Sequence, residues 1–201
     1  MNTSVLGEVY IRHKDTKQSV RSMANLVLET IKDRRSIIRF ETTHIKEEEV
    51  QAILAAGHWA PSALNRQPWR FIVVEDPSIK KALSEYTPTI YRLGMREAPL
   101  CIVVTVNTEE DPWHFIEDGS AATQNMALAA HSLGLGSCWI GVFRLEGEKG
   151  SSEEKIKNLL EIPKNHRVIS LLPIGIPKHF ERKDRKPLTQ IVYHDRFGKR
   201  K

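Results

Sequence analysis

The chain has 201 residues, of which 40% are hydrophobic and 27% charged, and its formal net charge is +5. This balance is ordinary for one globular domain with a substantial core, and the polar N-terminus has no signal-peptide core, so we expect a cytoplasmic protein. The basic residues gather in residues 32–39 and 178–201, with acids interspersed in the second region, and no nucleic-acid motif appears. No apolar run could span a bilayer. Neither nucleic acid nor a membrane is therefore an expected partner.

The N-terminal part of the chain divides into an arm and two helices. Residues 1–20 show no sustained hydrophobic period and are predicted to form a mobile arm, with residues 21–201 forming one domain. Apolar residues at helical spacing follow Ser22, which is a suitable cap for a first helix. A second helix is predicted after residues 42–43 and should end near His58.

Two adjacent arginines and a serine, Arg34, Arg35 and Ser36, follow the first predicted helix. Cations at a helix C-terminus interact favourably with the helix dipole, which is one interpretation. The other is an anion clamp, because guanidinium groups match phosphate oxygens bidentately and a serine adds a neutral donor. The residues alone leave both interpretations open.

Residues 60–71 place two prolines, a serine, an asparagine and a glutamine between a helix and a strand. Proline fixes φ and disfavours the helical region for the residue before it, so this backbone is predicted to be stiff and irregular. Such a segment would hold Ser62, Asn65 and Gln67 in fixed directions, as a hydrogen-bonding ligand requires. A capped helix end followed by a strand is the alternative.

The remaining elements follow familiar signals. Asp76 and Pro77 should begin a helix. Residues 100–106 are predicted to form a strand buried on both faces, and residues 116–133 a buried helix with a small-residue surface. Residues 137–143 and 168–177 are predicted strands, separated by a helix capped by Ser151. Residues 87–97 are ambiguous, with a mobile flap over a pocket as one interpretation. Cys101 and Cys138 lie in apolar runs and should be buried thiols.

Several common sites are not predicted. The glycines Gly134 and Gly136 follow a helix rather than a strand and lack a third glycine, so they are not a dinucleotide fingerprint. No phosphate-binding P-loop is present. His131 has no other metal-binding side chain at ligand spacing, so no metal site is predicted.

Four segments in order resemble the nitroreductase-like family of FMN-dependent oxidoreductases. They are Arg34-Arg35-Ser36; Ala-Pro-Ser-x-x-Asn-x-Gln-Pro-Trp-x-Phe in residues 60–71; Gly-Leu-Gly-Ser-Cys-Trp-Ile-Gly in residues 134–141; and Pro-Ile-Gly-Ile-Pro in residues 173–177, followed by Lys-x-Arg-Lys-Pro-Leu in residues 183–188. The resemblance covers residues 22–195. It implies an α+β sandwich: a mostly antiparallel sheet between helices, in an intertwined homodimer.

The resemblance also implies a site residue by residue. FMN would bind at the dimer interface, with its phosphate and ribityl-pyrimidine side held by Arg34, Arg35, Ser36, Lys183 and Arg185. A second group would close the site, largely from the partner subunit: Pro61, Ser62, Ala63, Asn65 and Gln67. A third would run beside the isoalloxazine ring, with the Gly141 backbone N–H directed at flavin N5: Trp139, Ile140, Gly141 and Val142.

The implied function is an NAD(P)H oxidoreductase in which FMN takes hydride at N5 and electrons pass to a nitroaromatic or quinone in the same pocket. The flavin carries the chemistry, so no catalytic side chain is predicted. Alternatives within the family are flavin fragmentation, reductive dehalogenation and FMN binding without NAD(P)H turnover. The sequence departs from many relatives at Ile38, where a basic residue is usual, and Arg39 is the nearest candidate to replace it.

Overall fold

A computed structural model of the chain describes residues 25–142, 151–180 and 184–201. The helices in these ranges are α1 (Leu26–Asp33), α2 (Glu47–His58), α3 (Pro77–Glu85), α4 (Thr89–Glu97), α5 (Phe115–Ser132), α6 (Ser152–Leu159) and α7 (Leu188–Ile191). The strands are β1 (Trp69–Val74), β2 (Leu100–Asn107), β3 (Gly136–Ser137), β4 (Ile140–Gly141) and β5 (His166–Gly175). The predicted N-terminal arm lies outside the described residues.

The strands form one sheet in the order β1-β2-β5-β3, with β4 also paired to β5. All four strand pairings are antiparallel. The strand β2 is central and, apart from its last residue Asn107, is buried along its whole length, as its unbroken apolar run predicted. The α+β class with a mostly antiparallel sheet is therefore confirmed.

Helices cover both faces of the sheet. On one face, Ile53 of α2 and Met126 of α5 pack in one apolar cluster with alternate residues of β2 such as Ile102. On the other face, side chains of α3, α4 and α6 pack with the intervening β2 residues, among them Cys101 and Val103. Successive side chains of β2 thus point into two separate cores, one on each face of the sheet, which is the predicted sandwich.

Local start signals account for several helix boundaries. The Asp76 carboxylate accepts the backbone N–H groups of Ser78 and Ile79 at 2.7 and 3.1 Å, with Pro77 at the first helical position of α3. Ser151 caps α6 by accepting the N–H of Glu154. The helix α1 is capped by Asn25, whereas the predicted cap, Ser22, lies outside the described residues.

The interpretation of residues 87–97 as a flap is wrong, although Tyr91 of this segment does line a cavity, described below. Most of this segment is the regular helix α4, whose Met95 is fully buried in the core. Gly94 explains the close packing, because a Cβ at this position would lie 2.3 Å from the carbonyl oxygen of Ile38. The missing side chain allows α4 to rest directly on the backbone of residues 36–39.

The predicted strand at residues 137–143 is interrupted. Ser137 of β3 lies opposite Ile174 and Ile140 of β4 lies opposite Leu171, which is one continuous register along β5. Cys138 therefore comes opposite Pro173, and its N–H donates to the Pro173 carbonyl at 3.3 Å. Pro173 has no N–H to return, so the ladder is broken at this point.

Both cysteines are free and buried, as predicted. Burial raises the pKa of the Cys101 thiol to about 12 and that of Cys138 to about 11. Neither thiol is therefore a ready nucleophile at neutral pH. Within the described ranges, no helix has both the length and the apolar character needed to cross a membrane.

Candidate functional site

The segment between α1 and α2 is fixed to the open end of the sheet by backbone hydrogen bonds. The N–H of Ile37 donates to the carbonyl of Ser137 at 2.9 Å, beside a parallel bridge between Ser36 and Ser137. Farther along, the N–H of Glu41 donates to Ile176 and the N–H of Lys178 donates to Arg39, both after the end of β5. These contacts bring the chain that follows β5 close to the paired arginines.

A cavity of about 450 Å³ opens between this segment, α4 and the C-terminal part of the chain. It is lined by Arg34, Arg35, Ser36, Ile37, Ile38, Arg39, Ile90, Tyr91, His179 and Arg185. Four of the five residues predicted to hold a phosphate therefore meet at one cavity, although Arg185 is 151 positions after Arg34 in the sequence. The fifth, Lys183, lies outside the described residues.

The electrostatics of this cavity favour an anion. Burial lowers the pKa of the Arg34 guanidinium, and the neighbouring charges of Arg185 and Arg35 lower it further. Within the described ranges, no ion pair joins any of these three side chains to a carboxylate. We call Arg34, Arg35 and Arg185 the cation cluster.

One atom of the cation cluster is left without a hydrogen bond. Arg35 donates Nη1 to the backbone carbonyls of Lys32 and Arg34, and its guanidinium lies 5.9 Å from the centre of the Phe180 ring. Its Nε is buried and has no partner among the described residues. A buried donor without an acceptor is costly, so this atom is a place for a ligand oxygen.

Arg39 lines the same cavity, but its charge is neutralised within the chain. Its Nε and Nη2 both donate to the Glu97 carboxylate at 2.9 Å. The same carboxylate accepts the N–H of Phe40 at 3.1 Å and the ammonium group of Lys178 at 3.0 Å. Arg39 is thus held by the end of α4, which leaves the position of Ile38 without a basic replacement from its neighbour.

The stretch containing Ser62, Asn65 and Gln67 forms a tight loop, residues 62–67, with a 3₁₀ turn at Ala63–Asn65. Leu64, Asn65 and Gln67 all have left-handed backbone conformations, with φ of 51°, 56° and 53°. The hydroxyl of Ser62 accepts the N–H of Gln67 at 3.0 Å, and the Gln67 amide donates to the Asn65 carbonyl at 3.2 Å. The predicted stiff, irregular backbone agrees with this geometry.

This loop does not line the cavity of the cation cluster. Gln67 instead lines a separate space of about 590 Å³ between α2 and the edge strand β1. That larger space contains one arginine, Arg70, whose guanidinium is paired with Glu110 at 2.6 Å. Within the described chain, therefore, the two groups of predicted site residues that begin at Arg34 and at Pro61 are not brought together.

The third predicted group surrounds the end of β4. The side chains of Ile140 and Val142 are buried in the core, so only their backbones are available to a ligand, whereas Trp139 is 36% exposed. Gly141 is exposed, and a Cβ there would meet no atom within 4 Å. It borders a cavity of about 400 Å³ that also contains Arg92, from the helix whose Tyr91 lines the cation cluster's cavity.

Sequence reasoning missed two kinds of residue. Ile90 and His179 line the cavity, but neither was named as a site residue: Ile90 lies in the segment interpreted as a flap, and His179 belongs to no motif. Glu97 neutralises Arg39 from 58 positions away, a pairing that no local pattern indicates. Among the described residues, no group of three or more His, Cys, Asp or Glu side chains is placed to hold a metal ion.

Comparison with known proteins identifies the family of the chain. The sequence profile of the Nitroreductase family matches residues 31–90 and 86–176. A protein of Methanothermobacter thermautotrophicus named "Putative NADH dehydrogenase/NAD(P)H nitroreductase" is 39% identical over 153 residues, covering 75% of this chain and 77% of that protein.

Two solved structures illustrate the likeness of the fold. A protein of the same name from Parabacteroides distasonis has a TM-score of 0.80 at 30% identity, covering 87% of this chain and all of the other. A Desulfovibrio desulfuricans protein described as a "putative nitroreductase in complex with fmn" has a TM-score of 0.74 at 32% identity, covering 87% and 99% of the two chains. The chain belongs to the nitroreductase family.

Proposed function

We propose that the chain is an FMN-dependent oxidoreductase that uses NADH or NADPH to reduce a nitroaromatic or quinone acceptor. Bound FMN would supply the redox chemistry, accepting hydride at N5 and passing electrons to the acceptor in the same pocket. The observation that carries the proposal is the cation cluster, three arginines that line one cavity without a carboxylate partner in the described chain. The FMN complex of the Desulfovibrio relative supports the choice of ligand.

The cation cluster fits an FMN phosphate in charge and in donors. A phosphate monoester carries a charge of about −1.5 to −2 near neutral pH and offers three strong acceptor oxygens. Arg34, Arg35 and Arg185 supply compensating charge, and the unpartnered Nε of Arg35 supplies a donor that the protein leaves unused. A phosphate would both satisfy this atom and reduce the repulsion among the guanidinium groups.

Backbone groups would position the flavin ring. On the resemblance we assign the Gly141 N–H to flavin N5, where a donor favours the reduced cofactor. Gly141 is exposed and has open space where a side chain would be, so a planar ring could approach its backbone. Trp139, Ile140 and Val142 would flank the ring, the last two through their backbones because their side chains belong to the core.

The visible spectrum of the purified protein tests this function. We expect a yellow protein, or one that becomes yellow with added FMN, whose absorbance bleaches on anaerobic addition of NADH or NADPH. A protein that neither binds FMN nor is stabilised by it would contradict the proposal entirely. A yellow protein that neither nicotinamide reduces would leave FMN binding intact and overturn the oxidoreductase.

We further infer that each site is shared by two copies of the chain. Asn65 and its neighbours do not line the cavity of the cation cluster within one chain, so the second group of site residues would come from the partner. A surface for such a partner exists on α1, where four apolar side chains are at least half exposed: Leu26, Val27, Leu28 and Ile31. Exposed apolar patches of this kind are typical of protein interfaces.

A further inference from the structure

Two buried carboxyl groups stand at the start of α5, away from the cation cluster. Asp111 is fully buried and Asp118 is 4% exposed. Each carboxyl is among the causes of the other's pKa shift, so the two side chains lie close together. Each has a buried Oδ2 that accepts no hydrogen bond from any described donor. Two ionised carboxylates in such contact repel each other strongly, whereas one proton placed between them converts the repulsion into a hydrogen bond.

The surroundings of the two groups differ, which decides where the proton resides. Burial raises the pKa of the Asp111 carboxyl, but the N–H groups of His114 and Trp113, together with Arg66, hold the pKa below its usual value. Asp118 accepts one N–H, that of Ala63 at 3.1 Å. Burial raises the pKa of Asp118, and the charge of Asp111 adds to this effect. Asp118 therefore has the higher pKa of the two, and a proton shared by the pair would reside on it.

The pair holds the loop of residues 62–67 at two points. Asp118 accepts the N–H of Ala63, and Asp111 accepts a hydrogen bond from the Arg66 guanidinium at 3.3 Å. These two contacts flank Leu64 and Asn65, which have left-handed backbone conformations. Such conformations are strained in residues other than glycine and persist only where the surroundings impose them.

We propose that Asp111 and Asp118 share one proton and act as positioning residues, fixing the loop of residues 62–67 so that Asn65 and Ser62 are presented to the flavin site. The last step rests on the proposed function, whereas the fixing of the loop does not. The charged or titratable groups that face the pair in the described chain are Arg66 from the loop and His114 from the residue before α5. Loss of the shared proton as the pH rises would leave two negative carboxylates side by side, and their repulsion would loosen the loop.

Two substitutions at Asp118 separate the shared proton from simple packing. In Asp118→Asn, the amide oxygen can still accept the Ala63 N–H and the amide NH₂ can donate to Asp111, as a protonated acid would. In Asp118→Ala both bonds are lost and the Ala63 N–H is left without an acceptor. Glu117→Gln, at the exposed neighbouring position on the same helix, is the matched control.

The readouts are amide hydrogen-exchange protection of residues 63–67 in the FMN-free protein, measured across the whole pH range in which the protein stays folded, and the FMN dissociation constant. We expect protection in the unaltered protein and in Glu117→Gln to fall as pH rises, whereas Asp118→Asn keeps its protection throughout. Asp118→Ala should lose protection about tenfold or more and bind FMN about tenfold or more weakly, with Asp118→Asn within about threefold of the parent.

The outcomes are decisive in both directions. Equal protection and equal FMN affinity in Asp118→Ala and Asp118→Asn would overturn the positioning role. Protection that depends on pH alike in the parent and in Asp118→Asn would overturn the shared proton, and this comparison holds even if Asp118→Ala does not fold. If neither the parent nor any variant binds FMN but the exchange differences persist, the fixing of the loop by the pair is supported and the proposed function fails.

Discussion

Arg34 and Arg39 lie on the same short segment between α1 and α2, yet their charges are balanced in opposite ways. Arg39 donates twice to Glu97, which also accepts Lys178 and a backbone N–H. Arg34 has Arg35 and Arg185 as its charged neighbours and no carboxylate in the described chain. One charge is satisfied by the chain itself, whereas the other has no carboxylate partner in the described chain, which is why we propose that it binds an external anion.

The pKa shifts around Arg39 and in the cation cluster show the same difference in charge balance. The Arg39 guanidinium is the main cause that holds the pKa of Glu97 at about 2, despite partial burial. In the cation cluster, burial and like charge both act against the charged form and lower the pKa of Arg34. The Arg39 region therefore stabilises the folded chain, whereas the like charges of the cation cluster oppose folding, a cost that a bound anion would offset.

If the site of Arg34 is shared by two copies of the chain, the partner subunit should contribute its loop of residues 62–67, including Asn65, to that site. Consider two inactive variants, Arg34→Ala and an Asn65 substitution severe enough to abolish activity. In a mixed dimer with shared sites, one site carries both defects and the other carries neither. Co-expression with two tags, or joint unfolding and refolding, should therefore restore about one working site per heterodimer.

The contrary arrangement gives a distinct result. If Arg34 and Asn65 serve one site from one chain, each site of the heterodimer carries one defect and no activity returns. Tag-purified heterodimers as inactive as either parent would thus exclude the shared site. Homodimers of each variant carried through the same procedure are the control for incomplete separation.

Replacing both Arg34 and Arg35 with alanine should weaken FMN binding by about a hundredfold or more. Each charge-assisted hydrogen bond contributes about 1.5–3 kcal/mol, and about 1.4 kcal/mol corresponds to tenfold in affinity. Titration of the FMN-free variant by flavin fluorescence measures the change. The fold should remain, because the substitution removes like charges that repel each other.

Arg39→Ala is the matched control for this double substitution. It removes a guanidinium from the same segment and the same cavity, but one that belongs to Glu97. We expect its thermal stability to fall while FMN affinity changes by less than about tenfold. Unchanged affinity in the double variant, or an equal loss in Arg39→Ala, would return Arg34 and Arg35 to the helix-dipole interpretation.

The sequence predicted elements best where their signals are local. The Asp76-Pro77 start of α3 and the Ser151 cap of α6 need only residues within one turn, and both are confirmed. The helix α4 was not recognised because Gly94 lowers intrinsic helix propensity by about 1 kcal/mol. What compensates is tertiary packing, namely the contact of Gly94 with the Ile38 backbone that a side chain would prevent.

For the site, the sequence identified residue types and segments but not which side chains meet. The arginines of residues 34–39 look equivalent in the sequence, and Arg39 was a candidate for the flavin edge. Only the arrival of Glu97 at the end of α4 distinguishes Arg39 from its neighbours. Likewise, Asp118 gave no local signal, since its role depends on the approach of Ala63 from 55 positions away.

The smallest expected effect concerns the Arg39 region, whose charges are already balanced within the chain. Glu97→Gln keeps the shape of the side chain but removes the charge that binds Arg39 and Lys178. Because the Glu97 side chain is 13% exposed, water partly screens the network, and we expect the free energy of unfolding to fall by about 1–2 kcal/mol at neutral pH. Glu85→Gln, at an exposed carboxylate that pairs with Arg92 and Arg96, should change it by about 1 kcal/mol or less, because water screens exposed pairs.

The pH dependence identifies the charge of Glu97 as the cause. Its pKa is lowered from 4.5 to about 2 in the folded protein, so its contribution is complete above pH 4.5 and is lost as the pH falls toward 2. The stability difference between the parent and Glu97→Gln should therefore be constant near neutrality and shrink through this acid range. Urea unfolding at a series of pH values measures it. A difference that persists unchanged at the lowest pH would show that packing, rather than charge, joins the end of α4 to Arg39 and Phe40.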